Sequence, residues 1–329
     1  MQYRQFGQTE LYVSEIGFGA WAIGGAAEVG GIPIGWGNAD DRTSNEAIAA
    51  ALNEGINFFD TADFYGLGHS EELLGKALKG QKEALIATKV GQRNVDDSIV
   101  ADYSKAYLLQ ACEKSLQRLQ RDTIDYYQLH NARLPHLQQG ECIEAMEQLK
   151  QEGKIRYWGL SLNTFYPAPE AEFLLEGNCG NGFQLVLNII NQRAMAVVQT
   201  AAAKGYGIIA RMPLQFGLLT GKFSSDSQFE KNDHRNFRFS PEILQQSLQL
   251  LEGKVWPLGE KEGLSKTGLA LNYILSFPEV STVIPGIRTA EQVRQNTSER
   301  KALTGSSKRF LQSLANDWEP VVQLMEQQG

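Results

Sequence analysis

The chain has 329 residues, of which 42% are hydrophobic, and a formal net charge of −7. The hydrophobic share is enough for a large core and excludes a disordered chain, and the length is compatible with one α/β barrel domain over residues 1–329. The negative charge, with no run of basic residues longer than Lys308-Arg309, argues against nucleic acid as a partner.

Cysteine usage and hydropathy indicate the compartment. Cys112, Cys142 and Cys179 are isolated and odd in number, which argues against a disulfide framework or a zinc site and fits a reducing compartment. The N-terminus is polar, so no signal peptide is evident, and no apolar run approaches the roughly 18 residues of a membrane-spanning helix. We therefore expect a cytoplasmic protein without a metal and without membrane insertion. The sequence makes no prediction of the oligomeric state.

The first predicted element is a small hairpin, Tyr3–Phe6 with Leu11–Val13, which could plug one end of the fold. Eight short runs follow that are almost continuously apolar, as is typical of parallel strands buried on both faces. These runs are Ile16–Ala20, Ile56–Asp60, Ala84–Lys89, Ile124–His130, Ile155–Ser161, Phe183–Leu187, Tyr206–Arg211 and Val280–Pro285.

Segments with helical spacing separate the strands. Ser44–Glu54 has its apolar residues on one face, Ser104 could cap a second helix, and Cys142–Gln151 repeats the scheme. Ser306–Gln328 predicts an extra C-terminal helix outside the strands. The polar stretch Phe223–Pro241 lacks periodicity and predicts a long functional or mobile loop.

Alternation of strands and helices indicates βαβ units. Closing eight strands into a (β/α)8 TIM barrel leaves no exposed edge, and an open doubly wound sheet is the alternative.

Polar side chains end several of these strands, at the edge where a parallel barrel builds its active site. Asp60, Lys89 and His130 each close an apolar run, although such groups are rarely buried without partners. Tyr65 follows Asp60 in a loop that can fold over the barrel mouth. Each residue taken alone is more simply an ion pair or a core histidine. Their common location points to catalysis.

A chemical scheme follows from these four residues. Lys89 would pair with Asp60, and its ammonium would favour loss of the proton from the Tyr65 hydroxyl. Tyr65 could then protonate a carbonyl oxygen as hydride reaches the carbon, while His130 donates a hydrogen bond to that oxygen. No side chain supplies a hydride, so the scheme needs a cofactor, and it needs no metal.

The segments around these residues resemble the aldo-keto reductase family. They are Gly55–Gly66 followed by Ser70-Glu71, Ala87–Lys89, Asp125–His130, Gly153–Ser161, Pro213–Lys222 and Val283–Thr289. The resemblance extends over nearly the whole chain, and the combination is far more specific than any one segment. It implies a (β/α)8 barrel, NADP(H) as cofactor, and reduction of a small carbonyl substrate by the catalytic tetrad Asp60, Tyr65, Lys89 and His130.

The resemblance also implies the cofactor-binding residues. These are Gly19, Trp21, Asp60, Tyr65, Ser161, Asn163, Gln184, Arg211, Pro213, Leu214, Gly217, Leu219, Gly221, Lys222, Gly286, Arg288, Gln292 and Asn296. Ser161, Asn163 and Gln184 would hold the nicotinamide carboxamide. The segment 213–222 would line the pyrophosphate, and the segment 286–296 would meet the adenosine end. The helix after Thr289 would present free N–H groups to a phosphate, and Arg288 could grip a 2′-phosphate.

Four features depart from the family pattern or leave a role open. Arg211 stands where many members have an aromatic residue that stacks on the nicotinamide, so its guanidinium could stack there or form a salt bridge in the mouth. Gly286-Ile287 replaces a common Lys/Arg-Ser pair, which leaves phosphate recognition to Arg288. Trp21 could wall the substrate pocket or pack against the hairpin. The loop around His234 could close over the cofactor.

Two other functions remain open. A cofactor-binding regulatory subunit with slow catalysis would keep the tetrad, as do family members that act on membrane channels. A barrel that uses Lys89 as a Schiff-base nucleophile is disfavoured by the expected pairing with Asp60, because a nucleophilic lysine must be neutral.

Overall fold

A computed structural model of the chain describes residues 1–35, 37, 39–230, 233 and 235–328. At its centre, eight parallel strands pair in chain order. They are β1 Phe18–Gly19, β2 Phe58–Asp60, β3 Leu85–Val90, β4 Ile124–His130, β5 Ile155–Ser161, β6 Gly182–Val186, β7 Gly207–Arg211 and β8 Thr282–Ile284. Bridges from Ile16 to Val283 and from Gly19 to Gly286 bring the first and last strands together into a nearly closed barrel. The predicted (β/α)8 barrel is confirmed, and the open sheet is wrong.

Helices follow the strands and surround the barrel. The α-helices are Asp41–Asn53, His69–Ala77, Lys105–Leu119, Leu134–Gln139, Glu141–Gln151, Ala168–Glu176, Met195–Ala203, Arg235–Arg238, Pro241–Leu250, Trp256–Glu262, Lys266–Leu275, Ala290–Ser298, Gly305–Ser313 and Ala315–Gln328. Short 3-10 turns span Trp21–Gly24, Tyr65–Gly68 and Gln215–Thr220, and a π-helical turn spans Leu251–Val255. Within the described chain, no helix has the length and apolar character needed to cross a membrane.

The predicted N-terminal hairpin is present and closes one end of the barrel. Tyr3–Gln5 pairs antiparallel with Tyr12–Ser14, and the next residue, Phe6, is fully buried. Its ring lies edge-on to Tyr126 with centroids 4.8 Å apart. A Cβ at Gly182 or Gly207 would come within 2.6 Å of the Phe6 ring, so glycine at both positions makes room for it. This end of the barrel is therefore packed with side chains.

Several predicted boundaries move for identifiable reasons. The first helix begins at Asp41, earlier than the predicted Ser44, because Asp40 is its N-cap and accepts a hydrogen bond from the Thr43 N–H at 2.8 Å. Ser104 holds an N-cap position, but its hydroxyl donates to Asp102 instead of accepting from the helix. The predicted C-terminal helix Ser306–Gln328 is divided into the two helices that end the chain.

The segment Phe223–Pro241 is less irregular than predicted. It contains the short helix Arg235–Arg238, and Pro241 begins the next helix. His234 lies outside the described residues. Two short hairpins escaped prediction, Glu28–Val29 with Ile32–Pro33 and Gln92–Val95 with Ser98–Ala101. They lie in loops that leave the carboxyl ends of β1 and β3, the end at which the polar residues collect.

Candidate active site

The carboxyl ends of β2 and β3 place a buried lysine at the centre of the site. Lys89 is fully buried, and its ammonium donates to Asp60 Oδ2 at 2.6 Å and to the Tyr65 hydroxyl at 3.1 Å. Its third hydrogen bond, 2.8 Å long, goes to the carbonyl oxygen of Thr61. All three ammonium protons have acceptors, so the buried charge is fully hydrogen-bonded.

Local backbone structure explains how Tyr65 reaches this lysine. After β2 ends, the N–H of Thr61 donates to the Ala87 carbonyl and the N–H of Asp63 donates to the Lys89 carbonyl, which prolongs the pairing with β3. The chain then turns at Gly66, which has a φ of +59° and whose Cβ would lie 2.1 Å from the Gly24 carbonyl oxygen. Only glycine fits this turn, which fixes Tyr65 over the end of β3.

The charge state of Lys89 follows from its partners. Burial alone would lower the pKa of the ammonium, but the Asp60 carboxylate and Tyr65 outweigh burial, so the net pKa of Lys89 is raised. The side chain is thus a cation at neutral pH. This argues against the Schiff-base alternative, which requires a neutral amine.

His130, at the end of β4, completes the group. Its ring centroid is 5.9 Å from that of Tyr65, with the two planes nearly perpendicular. Burial lowers the pKa of His130 well below its ordinary value, and the positive charges of Lys89 and Arg211 act in the same direction. The imidazole is neutral at physiological pH, so it can donate a hydrogen bond to a ligand oxygen without carrying charge.

Two glutamines hold the other oxygen of Asp60, and one of them was missed by the sequence analysis. Gln128 Nε2 donates to Asp60 Oδ1 at 3.1 Å, and Gln184 Nε2 donates to the same atom at 2.7 Å. Gln184 Nε2 also lies 3.2 Å from Gln128 Oε1. Strand register explains the contact, because Gln128 on β4 is paired with Lys89 on β3. The signal in the sequence was a polar residue inside the apolar run Ile124–His130.

Trp21 lies beside the tetrad and does not pack on the hairpin. Its ring centroid is 6.1 Å from that of Tyr65 and 6.3 Å from that of Phe216, and its indole N–H donates to the Ile34 carbonyl at 3.0 Å. The Arg238 guanidinium lies 5.1 Å from the Phe216 ring centroid. These side chains form an aromatic wall on one side of the mouth.

The three residues expected at the nicotinamide carboxamide lie next to the tetrad. Ser161 is paired in register with both His130 and Gln184. Asn163 Oδ1 accepts from the N–H groups of Phe165 and Tyr166, at 2.8 Å each, so its amide nitrogen is the group left to donate to a ligand. Gln184 uses its amide nitrogen on Asp60 and so links this group to the tetrad.

Arg211, at the end of β7, is held by neutral acceptors. Its Nη2 donates to the Leu162 carbonyl at 3.2 Å and to the Thr164 hydroxyl at 3.0 Å, and Nη1 lies 3.1 Å from the Met212 sulfur. Its Nε is buried without a hydrogen-bond partner in the part of the chain that the structure describes. No salt bridge joins Arg211 to a described carboxylate, so the salt-bridge expectation is wrong. Burial lowers the pKa of Arg211 to about 10, which leaves it charged at neutral pH.

The segment after β7 is tied down from two sides. Gln215 accepts from Asn188 Nδ2 at 2.8 Å and donates to the Met325 sulfur at 3.2 Å, which connects this turn to the C-terminal helix. Gly217 and Gly221 have φ of +97° and +73°, values that favour glycine. Among the remaining expected pyrophosphate residues, Pro213 and Leu219 are buried, Leu214 is half-buried and Lys222 is exposed.

The helix after Thr289 differs from the expectation of free N–H groups. Thr289 and Gln292 form a capping box, in which Gln292 Oε1 accepts from the N–H groups of Arg288 and Thr289. The Thr289 hydroxyl accepts in return from the Gln292 N–H at 3.2 Å. The expectation is therefore wrong for these three amides, because the helix caps itself. The spacing of Thr289 and Gln292 was the sequence signal for this cap.

Polar atoms along β5 to β8 fit a bound cofactor. The Nδ2 atom of Asn296 is buried without a partner among the described residues, as is Nε of Arg211. Space is open beside Gly286, where an added Cβ would meet no described atom within 4 Å. Buried polar groups are rarely left unsatisfied in a functional complex, so this side of the mouth has hydrogen-bond capacity for a polar ligand.

Comparisons with known proteins agree on a family. The model of the Aldo/keto reductase family matches residues 15–309. Aldo-keto reductase YhdN of Bacillus subtilis (strain 168) is 32% identical over 310 residues, covering 89% of this chain and 87% of that protein. NADH-specific methylglyoxal reductase of Escherichia coli (strain K12) is 29% identical over 309 residues, covering 89% and 91%. The holo-form structure of aldo-keto reductase AKR11C1 from Bacillus halodurans gives a TM-score of 0.78 at 30% identity, covering 96% of both chains.

Proposed function

The chain belongs to the aldo/keto reductase family of oxidoreductases, which use a nicotinamide cofactor, and from this premise we propose that it reduces an aldehyde or ketone to the alcohol with NADPH. The observation that carries the proposal is the contact of one buried ammonium, that of Lys89, with both Asp60 and Tyr65. A neutral side chain could fill the same buried space, so packing alone does not explain a lysine at this position.

The roles of the four residues follow from their contacts. Tyr65 donates its proton to the substrate oxygen, and the Lys89 ammonium, 3.1 Å away, stabilises the phenolate that remains. Asp60 holds Lys89 in place and balances its charge. His130, neutral and close to Tyr65, donates a hydrogen bond that orients the same oxygen. The cofactor, when bound, supplies the hydride.

The cofactor would lie across the ends of β5 to β8. Ser161, Asn163 and Gln184 would hold the carboxamide, and Arg211 would border the nicotinamide. The remaining contacts would come from Gly19, Trp21, Pro213, Leu214, Gly217, Leu219, Gly221, Lys222, Gly286, Arg288, Gln292 and Asn296. Support comes from the unpartnered Nδ2 of Asn296 and the open space beside Gly286.

In this proposal, Arg288 contacts the 2′-phosphate and so gives the preference for NADPH over NADH. The guanidinium precedes the capped helix Ala290–Ser298, where the helix dipole also favours negative charge. One relative is named as specific for NADH. Both cofactors therefore belong in any test of this chain.

The proposal is tested by following the loss of reduced nicotinamide with a panel of aldehydes, ketones, quinones and sugars, each with NADPH and with NADH. We expect turnover of at least one carbonyl class, with a higher kcat/KM for NADPH. Tight NADPH binding with negligible turnover of every compound would instead support a regulatory subunit. Borohydride trapping of a substrate on Lys89 would support the Schiff-base alternative.

A further inference from the structure

The charges that border the tetrad do not cancel. The Lys89 cation is balanced by Asp60, and His130 is neutral. Arg211, at the end of β7, adds a second cation, and its Nη2 is bonded to the Leu162 carbonyl, one residue past the Ser161 that is paired with His130. Arg238 adds positive charge to the same mouth, because its guanidinium lies 5.1 Å from the ring centroid of Phe216 in the aromatic wall. The groups that face the reacting centre therefore carry a net positive charge.

Arg211 cannot turn away from the mouth without losing its contacts. Its Nη2 donates to the Leu162 carbonyl and the Thr164 hydroxyl, and Asn163, between them, caps the turn that follows. The acceptors are neutral, so they hold the guanidinium in position without cancelling its charge. Burial strengthens the electrostatic effect of such a charge on its neighbours.

A hydride donor must lie close to this cation. The substrate oxygen contacts Tyr65 and His130, so the carbon that accepts hydride lies at the same mouth, and the donor ring must approach it to about 3–3.5 Å. The ring is neutral in the reduced cofactor and carries one positive charge after the hydride has left. Repulsion from Arg211 consequently acts on one of the two redox forms.

We propose that Arg211 makes the site discriminate between the redox forms of its cofactor, so that the protein binds NADPH more tightly than NADP+. This inference rests on the proposed function. Two unit charges several ångströms apart at a partly buried site repel enough to change affinity about tenfold or more. Weak binding of the oxidised form speeds release of the spent cofactor, a step that limits the turnover of many enzymes.

The test is a ratio of two dissociation constants. Kd for NADPH and Kd for NADP+ are measured by titration calorimetry for the wild type, Arg211→Met and Arg211→Lys. Contacts to the adenine, ribose and phosphates are common to both forms and cancel in the ratio. We expect a wild-type ratio of NADP+ to NADPH Kd of about ten or more, a loss of most of it in Arg211→Met, and its retention in Arg211→Lys.

Arg156→Met provides a matched control. Arg156 pairs with Asp125 at the opposite end of the barrel, so this variant should keep the wild-type ratio. Equal wild-type affinity for both forms would overturn the inference, as would an unchanged ratio in Arg211→Met. Equal loss in the Met and Lys variants would show that shape, not charge, discriminates, and would also overturn it. If neither form bound the wild type, the proposed function itself would fail.

Discussion

The barrel mouth sets a buried ion pair that is hydrogen-bonded within the chain against buried donors that have no described partner. On the side of β2 to β4, Lys89 donates all three ammonium protons to protein atoms, and both carboxylate oxygens of Asp60 accept hydrogen bonds. On the side of β5 to β8, Arg211 and Asn296 keep buried donors without described partners. In the proposed mechanism, the ion pair that supports Tyr65 is therefore in place before any ligand arrives. The unpartnered donors of the second side are available to a ligand, as the proposed cofactor site requires.

Removing the central cation should give the largest effect. Lys89→Met leaves Asp60 buried without its counter-ion and deprives the phenolate of stabilisation. We expect kcat to fall by about 10²- to 10⁴-fold and the free energy of unfolding to fall by about 3–5 kcal/mol. Steady-state kinetics and urea unfolding measure both. Lys79→Met, at an exposed lysine, is the control, and turnover that survived in Lys89→Met would remove Lys89 from the mechanism.

Losing one of the glutamine hydrogen bonds to Asp60 should lower kcat less than losing the ion pair, and should leave cofactor binding on the other side of the mouth unaffected. Gln128→Leu removes one of two amide donors from Asp60 Oδ1 and lets the carboxylate rotate. Because hydrogen bonds to charged groups contribute about 1.5–3 kcal/mol, we expect kcat to fall about tenfold or more while the Kd for NADPH is unchanged. Equal losses in kcat and cofactor affinity would mean that the two sides of the mouth are not separable.

Arg288→Ala should weaken cofactor binding on the side of β5 to β8 and leave the catalytic step unchanged. Loss of a charge-assisted contact to the 2′-phosphate should raise the KM for NADPH about tenfold and leave the KM for NADH and both kcat values unaltered. The comparison uses one carbonyl substrate and both cofactors. If NADPH and NADH suffered alike, Arg288 would have no part in recognising the 2′-phosphate.

The smallest expected effect concerns Asp63, which lies on the side of β2 to β4 and, like His130, keeps a buried polar atom without a described partner. Its Oδ1 is buried without a described partner, and burial followed by the Glu71 charge raises the pKa of Asp63 well above its ordinary value. A carboxyl with a raised folded-state pKa gives its full contribution to stability below the unfolded value of about 3.9 and loses it as the pH rises through the folded value.

Asp63→Asn should therefore stabilise the protein more at high pH than at low pH. We expect its free energy of unfolding to exceed that of the wild type by about 1–2 kcal/mol at about pH 8 and by less at about pH 5. Urea unfolding at the two pH values measures the difference. Asp122→Asn, at an exposed carboxyl, should show none. A stabilisation that did not grow with pH would contradict the assignment.

The features predicted most accurately from the sequence were strands with long apolar runs. The boundaries of β4 and β5 match the prediction because both strands are nearly apolar and end in a polar residue. The meeting of Asp60, Lys89 and His130 also followed, since parallel strands end at one face of a barrel. Tyr65 could be placed on the following loop, but the turn at Gly66 that fixes it needs coordinates.

What the sequence did not reveal depends on side-chain choices between alternative partners. Gln128 was counted as part of an apolar strand, although register sets it against Lys89 and Asp60. Gln292 was assigned to a ligand, and its cap on its own helix was not foreseen. Arg211 had two expected roles, stacking on the nicotinamide or a salt bridge, and only its surroundings show that neutral acceptors hold it. Local hydrogen bonds compete with ligand contacts for the same atoms, and periodicity carries no information about that competition.

The central claim is that Tyr65 protonates the substrate as hydride is transferred. A single-turnover experiment tests it directly, by mixing the preformed NADPH complex with a carbonyl substrate and following the loss of reduced-nicotinamide fluorescence. In Tyr65→Phe, Lys89 keeps its bonds to Asp60 and Thr61, so the cofactor should still bind. The account predicts a rate at least about 10²-fold below the wild type. Equal rates in the two proteins would contradict it.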